Sequence, residues 1–306
     1  MIHLFHPIHR PLIWGAEEWV LSAVEGHESV SLTGKTISQM IHEDKDRLVG
    51  KHIYDKFGDT FPLLIKFIDA QRDLSVQVHP SDTLAQKYGH PWGKTEMWFV
   101  LPSEPGAHLY CGWNKPMSAE EYRRRLADDT IVDALQLFTP KAGDCFFIPA
   151  GRVHAMGGGC RVCEVQQTSD LTYRIYDYNR LDAQGNPREL HTALAEECLD
   201  YSCPATGTLL SRAPELTGKP ENIEGMLVTC DYFTSNVVRV PEQWTRHYEN
   251  LDSFVCLICL NGKGKVTTDD GCSQAFENGD TLLLPATTQT ADIQAENAIF
   301  METFIR

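Results

Sequence analysis

The sequence lacks any hydrophobic run long enough to cross a membrane as a helix, and it is poor in basic residues. Its 306 residues include 27 lysines and arginines against 42 aspartates and glutamates, which gives a net charge of −15 at pH 7. This balance argues against nucleic acid or an anionic membrane as the main partner. The N-terminal stretch MIHLFHPIHRPLIWG has neither a lysine-led start nor a small-residue cleavage pattern, so we expect a cytoplasmic protein.

Ten cysteines include two Cys-x-x-Cys pairs, Cys160/Cys163 and Cys256/Cys259. Both pairs lie in runs typical of β-strands, GCRVCEVQQT and FVCLICLNG, where residues three apart point to opposite faces. Neither pair can then close on one metal ion, and disulfides are rare in reduced compartments. We interpret these cysteines as reduced, mostly buried thiols.

Alternating apolar and polar residues, separated by Gly, Pro and Asp turns, indicate a mainly β protein. Helices are predicted over AEEWVLSAV, in EDKDRLVGKHIYDKFGD up to Gly58, and over a longer insertion at about 117–138. In the insertion, Ser118 is the expected N-cap and Glu121 completes a capping box. Strands with one long helical insertion predict an antiparallel β-barrel or sandwich.

An internal repeat divides the chain. KAGDCFFIPAGRVHAM and ENGDTLLLPATTQTAD share Gly-Asp, three apolar positions and Pro-Ala, and each continues into a further strand. Only the first copy contains a histidine after the Pro-Ala turn. We expect a metal-binding domain over 1–200, a connecting segment rich in Pro, Gly, Ser and Thr over 201–225, and a metal-free domain over 226–306.

Four side chains from three predicted strands have the chemistry of a set of metal ligands. In SVQVHP, Gln77 and His79 share one face, and in KTEMWFV the face of Glu96 also carries Lys94. His154 follows a Pro-Ala-Gly turn, which would bring it to the same mouth of a barrel. Burying an amide, two imidazoles and a carboxylate together is costly without a partner, and a divalent cation would supply one.

The order Gln-x-His, Lys-x-Glu and Pro-Ala-Gly-x-x-His is similar to the cupin metal site. The stretches PLIWG, FPLLIKFIDA, LSVQVHPSD, GKTEMWFV, IPAGRVHA and TYRIYDYNR resemble the short bacterial form of type I mannose-6-phosphate isomerase. The resemblance implies two cupin-type (jelly-roll) β-barrels, with the helical segment in or beside the first. It also implies one Zn²⁺ per chain and a small phosphorylated hexose as the partner. The implied zinc ligands are Gln77, His79, Glu96 and His154.

The implied reaction interconverts mannose 6-phosphate and fructose 6-phosphate by moving a proton between C2 and C1 through a cis-enediol or its anion. Arg174 and Lys94 are the implied catalytic residues. Three candidates remain for the general base that removes the carbon-bound proton: a zinc-bound water, the neighbours of His79, and Lys94. Arg174 has three possible roles: it could stabilise the enediolate, bind the phosphate, or form a structural ion pair with Asp177 or Asp170.

Two further cations, Arg152 and Lys115, are candidates for binding the substrate phosphate. Two alternative functions also remain. An iron- or manganese-dependent cupin oxygenase would need a redox metal and would tolerate an apolar pocket. A non-catalytic sugar-binding cupin would keep the fold without turnover.

Overall fold

The computed structural model describes residues 1–181, 184–203, 205, 210–216 and 220–306. Parts of the predicted connecting segment 201–225, namely 204, 206–209 and 217–219, lie outside the described residues. Within these limits, no helix is both long and apolar enough to cross a membrane.

Strands dominate the described chain, which confirms the predicted mainly β architecture. In chain order they are β1 His3–Leu4, β2 Ile8–Leu12, β3 Gly15–Leu21, β4 Ala23–Val24, β5 His27–Glu28, β6 Leu63–Ala70, β7 Val76–Val78, β8 Glu96–Val100, β9 Leu109–Trp113, β10 Leu135–Phe138, β11 Asp144–Ile148, β12 His154–Met156, β13 Arg161–Gln167, β14 Tyr173–Tyr176, β15 Leu210–Arg212, β16 Ile223–Thr229, β17 Thr234–Val240, β18 Gln243–His247, β19 Val255–Thr268, β20 Ser273–Phe276, β21 Thr281–Leu284 and β22 Thr290–Phe304. The helices are α1 Ile37–Asp44, α2 Asp46–Val49, α3 Lys51–Phe57, α4 Asp82–Lys87, α5 Ala119–Ala127 and α6 Thr192–Cys198, with a 3₁₀ turn at Val132–Ala134.

The chain divides into two compact units, each discontinuous in sequence. One comprises His9–Glu18 and Lys66–Ser211 and is called the central unit here; the other comprises Met1–Ile8, Trp19–Ile65 and Arg212–Arg306 and is called the C-terminal unit. The predicted boundaries at 200 and 226 stay a prediction.

The central unit is built around two antiparallel sheets. A five-stranded sheet has the order β10-β9-β12-β7-β14, and a seven-stranded sheet has the order β15-β11-β8-β13-β6-β3-β2. Large apolar side chains from both sheets meet in one core, including Trp98 and Phe146 from one sheet and Leu109 and Met156 from the other. This sandwich-like packing agrees with the predicted jelly-roll class.

The C-terminal unit contains an eight-stranded sheet with the path β1-β21-β19-β22-β17-β16, to which β18 and β20 add. Its core includes Leu257, Ile293 and Phe300. The pairings repeat those of the central unit, because β11 and β13 flank β8 as β21 and β22 flank β19. The internal repeat in the sequence is therefore confirmed as a repeat of strand arrangement.

The helix predicted over 117–138 is shorter than expected. Ser118 is its N-cap, and its hydroxyl accepts a hydrogen bond from the Glu121 amide at 3.1 Å. The helix ends at Ala127 because Asp129 adopts a positive φ of 54°, and Leu135–Phe138 then pairs with β9. Glu121 does not complete the capping box; its carboxylate instead accepts hydrogen bonds from two arginines of the same helix.

The helix predicted over AEEWVLSAV is wrong, because these residues form β3 and β4. The preceding Gly15 has a φ of 152°, and a Cβ there would lie 2.0 Å from the Asp69 carbonyl oxygen. Only glycine permits this approach, which places β3 in the sheet beside β6. By contrast, the helical stretch before Gly58 is confirmed as α2 and α3, and Gly58 ends α3 with a φ of 56°.

Candidate metal centre

The five-stranded sheet brings three of the predicted ligands onto neighbouring strands. Gln77 on β7 lies directly opposite His154 on β12. His79 follows two residues after Gln77 and therefore projects from the same face. Glu96 opens β8 in the other sheet and is 1% exposed. Residues far apart in sequence thus converge in the interior of the central unit.

The ligand atoms of His79, Glu96 and His154 all lie within 4.8 Å of one another. His79 Nε2 is 3.4 Å from Glu96 Oε2, and His154 Nε2 is 3.3 Å from Glu96 Oε1. Among the described residues these four atoms are buried without a hydrogen-bond partner. Ligands at about 2.0–2.1 Å from a tetrahedral zinc ion are separated by roughly 3.3–3.4 Å. The donor set and its spacing therefore fit a small divalent cation.

Each histidine is oriented by its second ring nitrogen. His79 Nδ1 is 3.0 Å from the Leu171 carbonyl oxygen, and His154 Nδ1 is 2.9 Å from the Arg152 carbonyl oxygen. Since a carbonyl only accepts, each Nδ1 carries the proton and each Nε2 offers a lone pair to the cluster. Burial lowers the pKa of His154 to about 4, and burial together with Lys94 lowers that of His79 well below its usual value. Both imidazoles are neutral, as metal ligation requires.

A chain of buried charges continues from Glu96. Lys94 Nζ lies 3.2 Å from Glu96 Oε2 and 3.8 Å from Glu164 Oε1. Lys66 Nζ lies 3.3 Å from Glu164 Oε1 and 3.2 Å from Glu17 Oε1. The other Glu164 oxygen accepts a hydrogen bond from the Trp98 indole at 2.9 Å. Buried ions of both signs alternate along this chain, which reduces the cost of burying each of them.

Sequence reasoning missed three of these residues, Glu17, Lys66 and Glu164. For Lys66 and Glu164 the available signal was a single charge between apolar residues, LLIKFI for Lys66 and VCEV for Glu164. Burial alone would lower the pKa of Lys66, but Glu164 and Glu17 raise it overall. Burial and the neighbouring Glu96 raise the pKa of Glu164 to about 7, against the opposing effect of the two lysines. A carboxyl group with such a pKa can hold or release a proton near neutrality.

Beside the cluster lies a cavity of about 370 Å³, and Gln77, Lys94, Glu164 and Arg174 are among the residues that line it. Arg174 lies on β14 directly opposite Gln77. The structure thus groups six of the predicted site residues around one cluster and cavity, namely Gln77, His79, Lys94, Glu96, His154 and Arg174.

The two predicted phosphate candidates make other side-chain contacts. Arg152 donates a hydrogen bond to the Phe147 carbonyl oxygen at 3.1 Å. Lys115 is 56% exposed at its side chain, and its Nζ lies 4.0 Å from Glu121. Neither is among the described residues that line this cavity.

Comparisons with known proteins agree with this geometry. Residues 13–103 match the model of the phosphomannose isomerase type I catalytic domain, and residues 223–302 match the mannose-6-phosphate isomerase cupin domain. A mannose-6-phosphate isomerase of Bacillus subtilis is 31% identical over 308 residues, covering 92% of this chain and 92% of that protein. The mannose-6-phosphate isomerase of Streptococcus mutans is 34% identical over 282 residues, covering 90% and 84%. The crystal structure of mannose 6-phosphate isomerase from B. subtilis gives a TM-score of 0.84 at 25% identity, covering 99% of both chains.

Proposed function

This chain belongs to the type I phosphomannose isomerase family, and from this premise we propose that it interconverts mannose 6-phosphate and fructose 6-phosphate with one bound zinc ion. The observation that carries the proposal is the set of buried His79, Glu96 and His154 atoms, which face one another without hydrogen-bond partners. We further propose that the reaction takes place in the cytoplasm on a small phosphorylated hexose.

Gln77, His79, Glu96 and His154 would hold the ion. One carboxylate and three neutral ligands leave a net charge near +1 at the site. When bound, the ion would supply positive charge for the sugar oxygens that become negative as a carbon-bound proton is removed. Lys94, held between Glu96 and Glu164, adds a second positive charge next to the same region.

Glu164 is the group that we assign to proton movement. It lines the cavity, and burial together with the neighbouring Glu96 raises the pKa of its carboxyl group, which suits it to take a proton from C2 of the aldose and return it to C1. The Trp98 indole, through its hydrogen bond, and Lys66, through its ion pair, hold this carboxyl group in place. Such orientation is a requirement for efficient proton transfer.

The test is a coupled assay on purified protein with mannose 6-phosphate and a small panel of other aldose 6-phosphates, run with and without a chelator. We expect turnover of mannose 6-phosphate, its loss after chelation, and its recovery when zinc is added back. Elemental analysis of the purified protein identifies the metal. Iron or manganese with oxygen consumption would favour an oxygenase, and sugar binding without turnover would favour a binding protein.

A further inference from the structure

The two segments that carry His79 and Glu96 belong to different sheets. His79 follows β7 of the five-stranded sheet, and Glu96 opens β8 of the seven-stranded sheet. Within the described strands no pairing joins β7 to β8, yet His79 Nε2 and Glu96 Oε2 lie 3.4 Å apart. A metal site requires ligand distances within about 0.2 Å of their ordinary values. The relative position of these two segments therefore depends on contacts outside the strand ladders.

The chain that leaves His79 is in direct contact with the chain that enters β8. The Lys94 amide donates a hydrogen bond to the Pro80 carbonyl oxygen at 2.9 Å. A Cβ on Gly93 would lie 2.5 Å from the same oxygen, so only glycine permits this close approach. The backbone itself thus ties the two ligand-bearing segments together at one point.

Asp82 and Gln167 connect the same two segments through their side chains. Asp82 Oδ1 accepts hydrogen bonds from the Gly93 amide at 2.8 Å and from Gln167 Nε2 at 2.9 Å. At the other end of the Gln167 side chain, Oε1 accepts a hydrogen bond from the Thr95 amide at 2.8 Å. Gln167 is 4% exposed and Thr95 is 3% exposed. The Gln167 side chain therefore joins Asp82 to the residue that precedes Glu96.

Gln167 is itself held in place by its neighbours. It ends β13, and its own amide donates a hydrogen bond to the Thr95 carbonyl oxygen at 3.1 Å. The Thr95 hydroxyl accepts a hydrogen bond from the Ala150 amide at 3.2 Å, in the Pro-Ala-Gly turn before His154. Buried polar networks whose members are hydrogen-bonded are rigid. This network can therefore fix the positions of the metal ligands beside it.

We propose that Gln167, acting through Asp82 and Thr95, is a positioning residue that sets the affinity of the site for its metal ion. The proposal rests on the metal-dependent function proposed above. Residues that orient metal ligands from outside typically contribute 10- to 100-fold to metal affinity. An amide suits this role because it donates to a carboxylate at one end and accepts from a backbone N–H at the other.

The experiment replaces Gln167 by glutamate in the full chain and measures Zn²⁺ affinity by competition with a chromophoric chelator. Gln167→Glu keeps an acceptor for the Thr95 amide, but it loses the donor to Asp82 and sets two carboxylates against each other. We expect the Zn²⁺ affinity to fall roughly 10- to 100-fold. We also expect the visible absorption bands of the Co²⁺-loaded protein to shift, because they depend on ligand geometry. A residue that only stabilised the fold would leave these bands unchanged.

Further variants separate the hydrogen bond from the change of charge. Gln167→Glu combined with Asp82→Asn restores the link with its polarity reversed, since the new amide can donate to the new carboxylate. This double variant should recover most of the wild-type Zn²⁺ affinity. Asp82→Ala removes the link from its other end, should lower the affinity in the same direction, and replaces Gln167→Glu if that variant does not fold. The control is Gln136→Glu, at an exposed amide that donates to the Leu137 carbonyl oxygen, and it should leave Zn²⁺ affinity unchanged.

The outcomes separate this proposal from the isomerase function. Wild-type Zn²⁺ affinity and an unchanged Co²⁺ spectrum in folded Gln167→Glu and Asp82→Ala would overturn the positioning role, and turnover of mannose 6-phosphate by the wild type would leave the function standing. A double variant that binds Zn²⁺ no better than Gln167→Glu would also overturn the positioning role. If the wild type binds Zn²⁺ without turnover, the isomerase function fails, and weaker binding by Gln167→Glu would still support the positioning role.

Discussion

Each unit buries a glutamate beside a cation, Glu96 beside Lys94 and Glu302 beside Arg246, but the two carboxylates differ in the hydrogen bonds that they accept. In the central unit, neither Glu96 oxygen has a hydrogen-bond partner among the described residues. In the C-terminal unit, Glu302 is equally buried at 1% exposure, but both of its oxygens accept two hydrogen bonds. The donors are Arg246, Tyr248 and Asn236. The repeated strand arrangement therefore supports one polar centre with acceptor atoms left for a ligand and one whose acceptors are satisfied by the protein's own side chains.

The difference indicates where chemistry can occur. A buried carboxylate is costly unless it is paired, so the C-terminal unit meets that cost with its own side chains. Arg246 bridges Glu302 and Glu224, and these two carboxylates raise its pKa although burial alone would lower it. A group saturated in this way has little capacity left for a ligand. In the central unit, by contrast, the buried ligand atoms of His79, Glu96 and His154 accept no hydrogen bonds and can bind an ion.

The strongest test of this comparison removes a ligand. His154→Ala should lower metal affinity by more than ~100-fold, beyond the effect typical of outer-shell changes, and activity should fall with it. The matched control is Thr290→Ala, because Thr290 stands ten residues after Gly-Asp in the second copy, as His154 does in the first. Metal content by elemental analysis and the coupled assay measure both variants.

Arg174→Ala should lose activity with its metal retained.

Full metal content and turnover in His154→Ala would remove this residue from the site. Equal losses in Thr290→Ala would contradict the asymmetry between the units.

The next effect concerns stability. Arg246→Leu leaves Glu302 and Glu224 without their shared cation, so the free energy of unfolding should fall by about 3–5 kcal/mol. Glu96→Gln should lower the free energy of unfolding of the metal-free protein by less than Arg246→Leu does, because the Glu96 oxygens accept no hydrogen bonds and Lys94, which loses its ion pair with Glu96, keeps Glu164 at 3.8 Å. Urea denaturation of both variants after chelation measures the contrast. Equal losses of unfolding free energy in the two variants would mean that the two buried glutamates contribute equally to stability, which would contradict the comparison.

A smaller effect is expected from Gln77→Glu. The second carboxylate would bring the charge of the ligand set and a divalent ion near zero, so the site would polarise a substrate oxygen less. We expect metal to be retained and turnover to fall by the order of 10²-fold, comparable to the loss of one electrostatic contact in a transition state. Gln77→Asn serves as a neutral control for side-chain length. Turnover at the wild-type rate in Gln77→Glu would show that the neutral ligand is not needed.

Strand alternation was enough to predict much of the site. The period of two placed Gln77 and His79 on one face in SVQVHP, and Lys94 and Glu96 on one face in KTEMWFV. Lys66 and Glu164 could not be identified in this way, because their partners lie on other strands and sequence does not specify strand neighbours.

The helix errors have a similar origin. AEEWVLSAV has the composition of a helix, but tertiary pairing beside β6 overrides that propensity. In the insertion, a single residue with positive φ, Asp129, ends the helix and redirects the chain into β10. Local sequence contains little information on either event.

The smallest expected effect tests whether the network of the C-terminal unit responds to acid. The hydrogen bonds from Arg246 lower the pKa of Glu224 below its usual value, although burial opposes this. A lowered pKa in the folded state means that Glu224 stabilises the fold above about pH 4.5, and this contribution is lost as the pH falls further. Because the Glu224 side chain is 41% exposed, we expect this contribution to the free energy of unfolding to be less than ~1 kcal/mol.

Glu224→Gln should therefore reduce the loss of unfolding free energy between about pH 7 and about pH 3.5, measured by urea denaturation. Glu296→Gln, at an exposed ion pair with Lys263, is the control and should leave this slope unchanged. If the unfolding free energy of wild type and Glu224→Gln depended equally on pH, the ionisation of Glu224 would not contribute to folding. Of the two carboxylates that pair with Arg246, Glu302 alone would then stabilise the fold.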